Sequence, residues 1–198
     1  MRTATEIWTY CQDAANGIYE SYAPTPEYAL RVARMTFGTV MHESGGLRWR
    51  RQLGFESAST GNLRGAFGLG QVERDTLQDI LKRTNRLPGL RHHFREYVDD
   101  AELAACLTAD NTDALCRWLE SEPYDRLAVG LARLRYLSVT MAIPAVLRDQ
   151  ALYWLTYYNG RGACKKYLRQ GKSEPTSQRL ALAEYMASWR QWCEPVLG

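Results

Sequence analysis

Along most of this chain apolar positions return every three or four residues, the spacing that lines one face of an α-helix. A first such segment covers about residues 4 to 20. The second, "PEYALRVARMTFGTVMHE", is better marked. Thr25 stands where an N-cap is wanted, Pro26 where a missing N–H costs nothing, and Glu27 in a first turn that favours a carboxylate. Leu30, Ala33, Phe37, Val40 and Met41 supply its apolar face. Gly45-Gly46 ends it, so Glu43 falls in the last turn.

From 45 to 72 the period disappears. Gly45, Gly46, Gly54, Gly61, Gly65, Gly68 and Gly70 fall there, which predicts loops and a small hairpin. A loop region of this length inside a compact domain is uncommon unless it carries function. Helical spacing resumes near Arg74 and stops before Pro88. Further helices are predicted near 89–106, 111–120 and 123–138. The pattern breaks around Pro144, a Trp- and Tyr-rich helix covers about 147–158, and "NGRG" turns the chain into a short helix. A strong helix, about 174–192, closes it. The fold class expected is mainly α, one domain over 1–198 with a helical body and one small irregular or β-containing lobe.

Composition narrows the class. A length of 198 residues suits one domain with a sizeable core. A net charge of +3 is too mild to argue for nucleic acid, though compatible with an acidic polymer. The five cysteines are odd in number, form no C-x-x-C, and accompany only three scattered histidines. That pattern argues against a zinc site or a disulfide framework, so free thiols packed in helices are expected, with no metal and no cofactor. The first residues hold no unbroken apolar stretch of the signal-peptide kind. Nor does any run approach the roughly 18 apolar residues of a membrane span. The expectation is synthesis in the cytoplasm, with any outside substrate reached by a route other than classical secretion.

Three stretches carry candidate chemistry. The first is "MHESGGLRWRRQLG", with Glu43-Ser44 at the helix end. The second is "GAFGLGQVERDTL", whose glycines permit a tight backbone path close to a ligand and whose Gln71 offers both a donor and an acceptor. It lacks the phosphate-cradling pattern G-x-x-x-x-G-K-[ST] and follows no predicted strand. The third is "YWLTYYNGRG", where a Tyr-Asn pair at a helix terminus can project a hydroxyl and an amide; core aromatics and a helix cap are its plainer reading. His42-Glu43 opens a His-Glu-x-x-His frame, but Gly46 stands at the position of the second histidine, so the metalloprotease reading fails. His92 and His93 are adjacent, hence on different helix faces, and are expected to be exposed.

Taken together and in this order, the three stretches resemble the lysozyme-like superfamily, in particular soluble lytic transglycosylases and goose-type lysozymes. The matching residues are Glu43-Ser44, then Gly65 to Gln71, then Tyr157-Tyr158-Asn159-Gly160. Where that family usually has Gly-Leu-Met-Gln, this chain has Gly70 in place of the methionine. The Arg-Arg-Gln run at 50–52 and the spacing Gly-x-x-Gly-x-x-Gln-x-Glu give a narrower resemblance to bacteriophage-encoded members. The resemblance spans a motif core of about 26–170. It implies a helical lobe and a small lobe with a cleft between them, cleavage of the β-1,4 bond between N-acetylmuramic acid and N-acetylglucosamine, and bacterial peptidoglycan as partner. For a component of a phage particle it also implies other virion proteins as partners and action at the cell wall.

Protonating a glycosidic oxygen at neutral pH needs a carboxyl whose pKa is raised, by burial above all. A helix C-terminus works in the same direction, and Phe37, Met41 and Phe67 are candidate apolar neighbours. Glu43 is therefore the expected general acid and then base; a helix-ending surface glutamate is the plain alternative. Ser44, Gln71, Glu73, Tyr158 and Asn159 are the expected substrate-binding residues, Tyr158 with its hydroxyl near Glu43 and Ser44 otherwise a loop cap. Trp49, Arg50 and Arg51 are candidates for glycan faces or peptide carboxylates, and a solvated loop is the alternative for the arginines. Hydrolases of this kind commonly use a second carboxylate. Glu56, Glu73 and Asp75 are available, but the acid that goose-type lysozymes place before the glycine motif would fall near Asn62, which cannot ionise. This favours chemistry with one carboxylate and leaves Glu73 open as a water-positioning base. The rival to an enzyme is a non-catalytic structural or glycan-binding phage component of the same fold; chitin hydrolysis is a third reading.

Overall fold

The computed structural model describes residues 2–17, 25–52, 65–84, 112–160 and 162–198. The protein is mainly helical. The first helix, α1 (Ala4–Gly17), opens with a reciprocal cap: Thr3 Oγ1 accepts the Glu6 amide at 3.2 Å, and Glu6 Oε2 accepts the Thr3 amide at 2.7 Å. α2 (Pro26–Glu43) starts as its sequence predicts, with Thr25 Oγ1 accepting the Tyr28 amide at 3.3 Å and proline at the first position.

α2 is buried on every side over its second half, from Met35 to Met41. A helix apolar or small all round in this way belongs in the middle of a packed body. α1, α5 (Asp125–Leu137) and α8 (Glu174–Trp192) pack around it. Leu30, expected on the buried face, is 44% exposed; it shares the outer face with Glu27, Arg31 and Arg34. Phe37 packs on Trp8 of α1, ring centroids 5.4 Å apart. Within the core, Thr39 Oγ1 and the Tyr136 hydroxyl satisfy each other at 2.6 Å, so α2 and α5 are joined by a polar contact as well as by packing.

The predicted small hairpin is present. β1 (Ala66–Phe67) and β2 (Val72–Glu73) pair antiparallel, Ala66 opposite Glu73 and Phe67 opposite Val72. Arg51 adds an isolated bridge to Phe67. The hairpin leads into α3 (Arg74–Thr84); α4 (Thr112–Leu119) and a short 3₁₀ turn (Glu122–Tyr124) precede α5.

The aromatic helix expected over 147–158 is two things. α6 (Leu147–Tyr153) widens into a π turn, Trp154–Tyr158, in which the Asn159 amide reaches back five residues to the Trp154 carbonyl at 2.9 Å. α7 (Gly162–Arg169) follows, then α8, then a last turn, α9 (Glu194–Leu197), with Pro195 where a helix can begin. The first helix is described only to Gly17, and the helix expected near 89–106 lies outside the described residues.

Cys11, Cys116, Cys164 and Cys193 are free thiols buried in the body, and Cys106 lies outside the described residues. Among the described residues no cluster of His, Cys, Asp or Glu could hold a metal. None of the described helices is long and apolar enough to cross a membrane.

Candidate active site

Glu43 is the last residue of α2. Beyond it the chain reverses through three successive left-handed residues, Gly45 (φ +58°), Gly46 (φ +72°) and Leu47 (φ +69°). The Gly46 amide returns to the Met41 carbonyl at 2.9 Å, the six-to-one bond that closes helices of this ending. Ser44 is fully buried, and its hydroxyl accepts the Leu47 amide at 2.9 Å, which holds Leu47 in a conformation that leucine rarely adopts. Ser44 therefore corrects the expectation that it binds sugar. It is the loop cap, with no surface to offer a ligand.

Glu43 is half-buried as a residue. Its Oε1 accepts the Trp154 indole N–H at 2.9 Å, and the Asn159 side chain lies close enough to favour the ionised carboxyl. Burial pushes the Glu43 pKa up from its ordinary value to about 7, against the pull of those two side chains and of the Arg135 charge. Position at the C-terminal end of α2 acts in the same direction as burial. Near neutrality this group can therefore both give and take a proton.

Trp154 is 1% exposed. Its ring stacks on Tyr185 at 4.9 Å and takes the edge of His42 at 4.7 Å. Burial lowers the His42 pKa to about 4, so the ring is neutral at pH 7, and its Nδ1 is 2.8 Å from Ser188 Oγ. Tyr185 and His42 thus back the indole directly, and Ser188 holds His42.

The π turn also ties in the glycine segment. The Tyr158 hydroxyl donates to the Gly70 carbonyl at 2.6 Å. A Cβ at position 70 would lie 2.7 Å from that hydroxyl and 2.8 Å from the Ala132 methyl, so glycine is needed for the close approach. This explains why the methionine of the resembled motif has no room here. Arg135 of α5 donates from Nε to the Tyr158 carbonyl at 3.0 Å and again from Nη2. From Nη1 it reaches Thr76 Oγ1 at 3.1 Å, and its guanidinium lies over the Tyr158 ring, 5.1 Å from the centroid. One arginine so connects α3, α5 and the π turn.

Glu43, the turn around Gly70 and the Tyr158-Asn159 pair, separated by up to 116 positions in sequence, meet at this point. Not every expected residue plays the part assigned to it. Tyr158 is buried and spends its hydroxyl on Gly70, although it lies close enough for the Glu43 charge to raise its pKa; it corrects the expectation of direct substrate binding. Gln71, with φ +46°, closes its own turn: backbone N–H and side-chain Nε2 both donate to the Gly68 carbonyl, at 3.0 and 2.9 Å. Asn159 is half-buried, and its Oδ1 accepts the Ala163 amide, capping α7. Glu73 is exposed at the end of β2 and Asp75 is exposed beside Arg74.

The arginines of the loop are not free for a ligand. Arg50 forks onto Asp125 at 2.7 and 2.6 Å, and Arg51 pairs with Glu120 at 3.1 Å while lying over Phe67. Trp49 remains 45% exposed. Glu56, Asn62, His92 and His93 lie outside the described residues. Trp154 and Arg135 were missed by sequence reasoning. A tryptophan in an aromatic helix reads as core, and nothing local to Arg135 announces partners on two other elements.

No family model matches this chain, and comparison with curated proteins and with solved structures gives no match either.

Proposed function

We propose that this protein cleaves the β-1,4 bond between N-acetylmuramic acid and N-acetylglucosamine of bacterial peptidoglycan, as a lytic transglycosylase or muramidase of lysozyme-like architecture. In this reading the helices around α2 form the larger lobe, the β1–β2 hairpin belongs to the smaller one, and Glu43 stands at the cleft between them. The observation that carries the reading is the Glu43 carboxyl at the end of α2, with the Trp154 indole N–H on its Oε1 and its pKa raised by burial.

Glu43 donates that proton to the glycosidic oxygen as the bond to C1 breaks, which leaves positive charge on the ring. The resulting carboxylate then removes a proton from the attacking hydroxyl. If the sugar's own 6-hydroxyl attacks, an anhydro ring closes and Glu43 is reprotonated; if water attacks, the product is hydrolysed. Among the described residues, the groups acting on the Glu43 pKa are Trp154, Asn159 and Arg135, none a carboxylate, and the one-acid route with the 6-hydroxyl is the one they suit. The route to the wall that best suits the phage-like motif variants is carriage in a virion beside other virion proteins.

Purified wild type and Glu43→Gln are compared on isolated sacculi, with products analysed by mass spectrometry. Wild type is expected to release muropeptides lacking one water relative to hydrolysed fragments, and Glu43→Gln none. If neither protein releases fragments, the non-catalytic phage component takes the place of the enzyme. Turnover of unsubstituted N-acetylglucosamine oligomers alone would point to chitin.

A further inference from the structure

A carboxylic acid has two unlike oxygens, and a proton donor is useful only if the hydrogen is on the one that faces its substrate. The surroundings of Glu43 bear on that choice. An indole N–H can only donate, and it is aimed at Oε1. In the protonated acid the carbonyl oxygen is the better acceptor, so Oε1 takes that character and the hydrogen is left to Oε2. Asn159 lies close enough to favour the ionised form of the same group, and its Oδ1 accepts the Ala163 amide.

In an ordinary helix Trp154 and Asn159 would face apart. In an α-helix two residues five apart point about 140° away from each other around the axis. Between Trp154 and Asn159 the chain is wound in the wider π register, with the Asn159 amide bonded to the Trp154 carbonyl. Widened turns of this type occur mostly as single-turn interruptions of α-helices, often at functional sites. The π register is held in place at its far end by Arg135 on the Tyr158 carbonyl and by the Tyr158 hydroxyl on Gly70.

We propose that the π turn Trp154–Tyr158 is the positioning device of the acid, and that Trp154, by donating to Oε1, assigns the transferable proton to Oε2 of Glu43. Trp154 is a positioning residue. It is buried and acts on the reaction through Glu43 alone. This inference rests on Glu43 being the acid of the proposed reaction, and it can fail separately from that reading.

Trp154→Phe keeps an aromatic ring in the place that faces Tyr185 and His42 and removes the N–H together with part of the indole. On sacculi its kcat at neutral pH is expected to fall about tenfold, the worth of one hydrogen bond to an ionisable group, with KM little changed. Loss of a donor that favours the ionised form raises the Glu43 pKa, so the alkaline limb of the kcat profile is expected to move to higher pH. A purely structural role would lower the melting temperature and leave that limb in place, and this result would overturn the proposal. A measurement on the unaltered chain guards against a variant that does not fold. The Trp154 indole proton resonance is expected to shift with the Glu43 ionisation in wild type and to be flat with pH in Glu43→Gln. A flat resonance in wild type overturns the inference, even if wild type cleaves sacculi and Glu43→Gln does not. A titrating resonance in a wild type that leaves sacculi intact supports the placement of the proton while removing the reading of the reaction.

Discussion

Two carboxyl groups, Glu43 and Asp125, are withdrawn from water in this protein, and they are treated in opposite ways. Asp125 is the first residue of α5, where the helix dipole favours a negative charge, and Arg50 is forked onto it. Burial pushes its pKa up, against the pull of the Arg50 hydrogen bonds and charge. Glu43 is the last residue of α2, where the dipole opposes its charge, and the indole that hydrogen-bonds it is a neutral donor. One acid is supplied with a counter-ion and serves to fix the loop after α2 against α5. The other has no ion pair among the described residues, only the more distant Arg135 charge, and burial keeps its proton to neutral pH. Burial alone therefore does not mark a reactive acid; what matters is whether a cation comes with it.

Three substitutions probe this contrast through four effects, from the largest to the smallest. Glu43→Gln is expected to lower the rate of sacculus cleavage by at least about a hundredfold, the usual contribution of a general acid, with the fold intact by circular dichroism. Asp125→Asn is expected to do the reverse. It leaves a guanidinium that is only 16% exposed without its partner, a loss on the order of 3 kcal/mol in urea unfolding, with cleavage per folded molecule unchanged. Equal activity losses in the two variants would erase the distinction.

The third effect concerns stability and pH. In the unfolded chain Glu43 ionises near 4.5, and in the folded chain near 7. Between those values the unfolded chain has already released a proton that the folded chain keeps, so stability falls as pH rises. Glu43→Gln removes this cost. It should be more stable than wild type at pH 8, by on the order of 2 kcal/mol, and no more stable at pH 4. Guanidinium unfolding at the two pH values is the check, and an advantage that is the same at both would contradict the raised pKa. The smallest effect belongs to Tyr158→Phe, which deprives the Gly70 carbonyl of its donor. A loss of about 1 kcal/mol is expected in the same unfolding assay.

The sequence made the helices legible wherever local chemistry decides them. Thr25, Pro26 and Glu27 start α2 where they were expected to, and the glycine pair after Ser44 stops it. The hairpin was anticipated from the loss of period between 45 and 72. At the site, Glu43 and Asn159 could be singled out because each ends a helix. Trp154 could not, because a periodicity of 3.6 cannot show that the chain will switch to an i→i+5 turn. Arg50 and Arg51 looked available because their partners, Asp125 and Glu120, lie some 70 positions away. Ser44 and Tyr158 show that a hydroxyl in such a motif can as well hold the backbone as hold a ligand, a choice local sequence does not decide.

The sealed thiols have a practical corollary. Cys11, Cys116, Cys164 and Cys193 are shut away from solvent in the helical body, and the pKa of three of them, Cys11, Cys116 and Cys193, lies above that of an ordinary thiol. Alkylating reagents can reach them only when the body opens, since it is the thiolate that reacts. Their labelling rates make the chain its own clock for breathing motions, with each cysteine timing the helix that carries it.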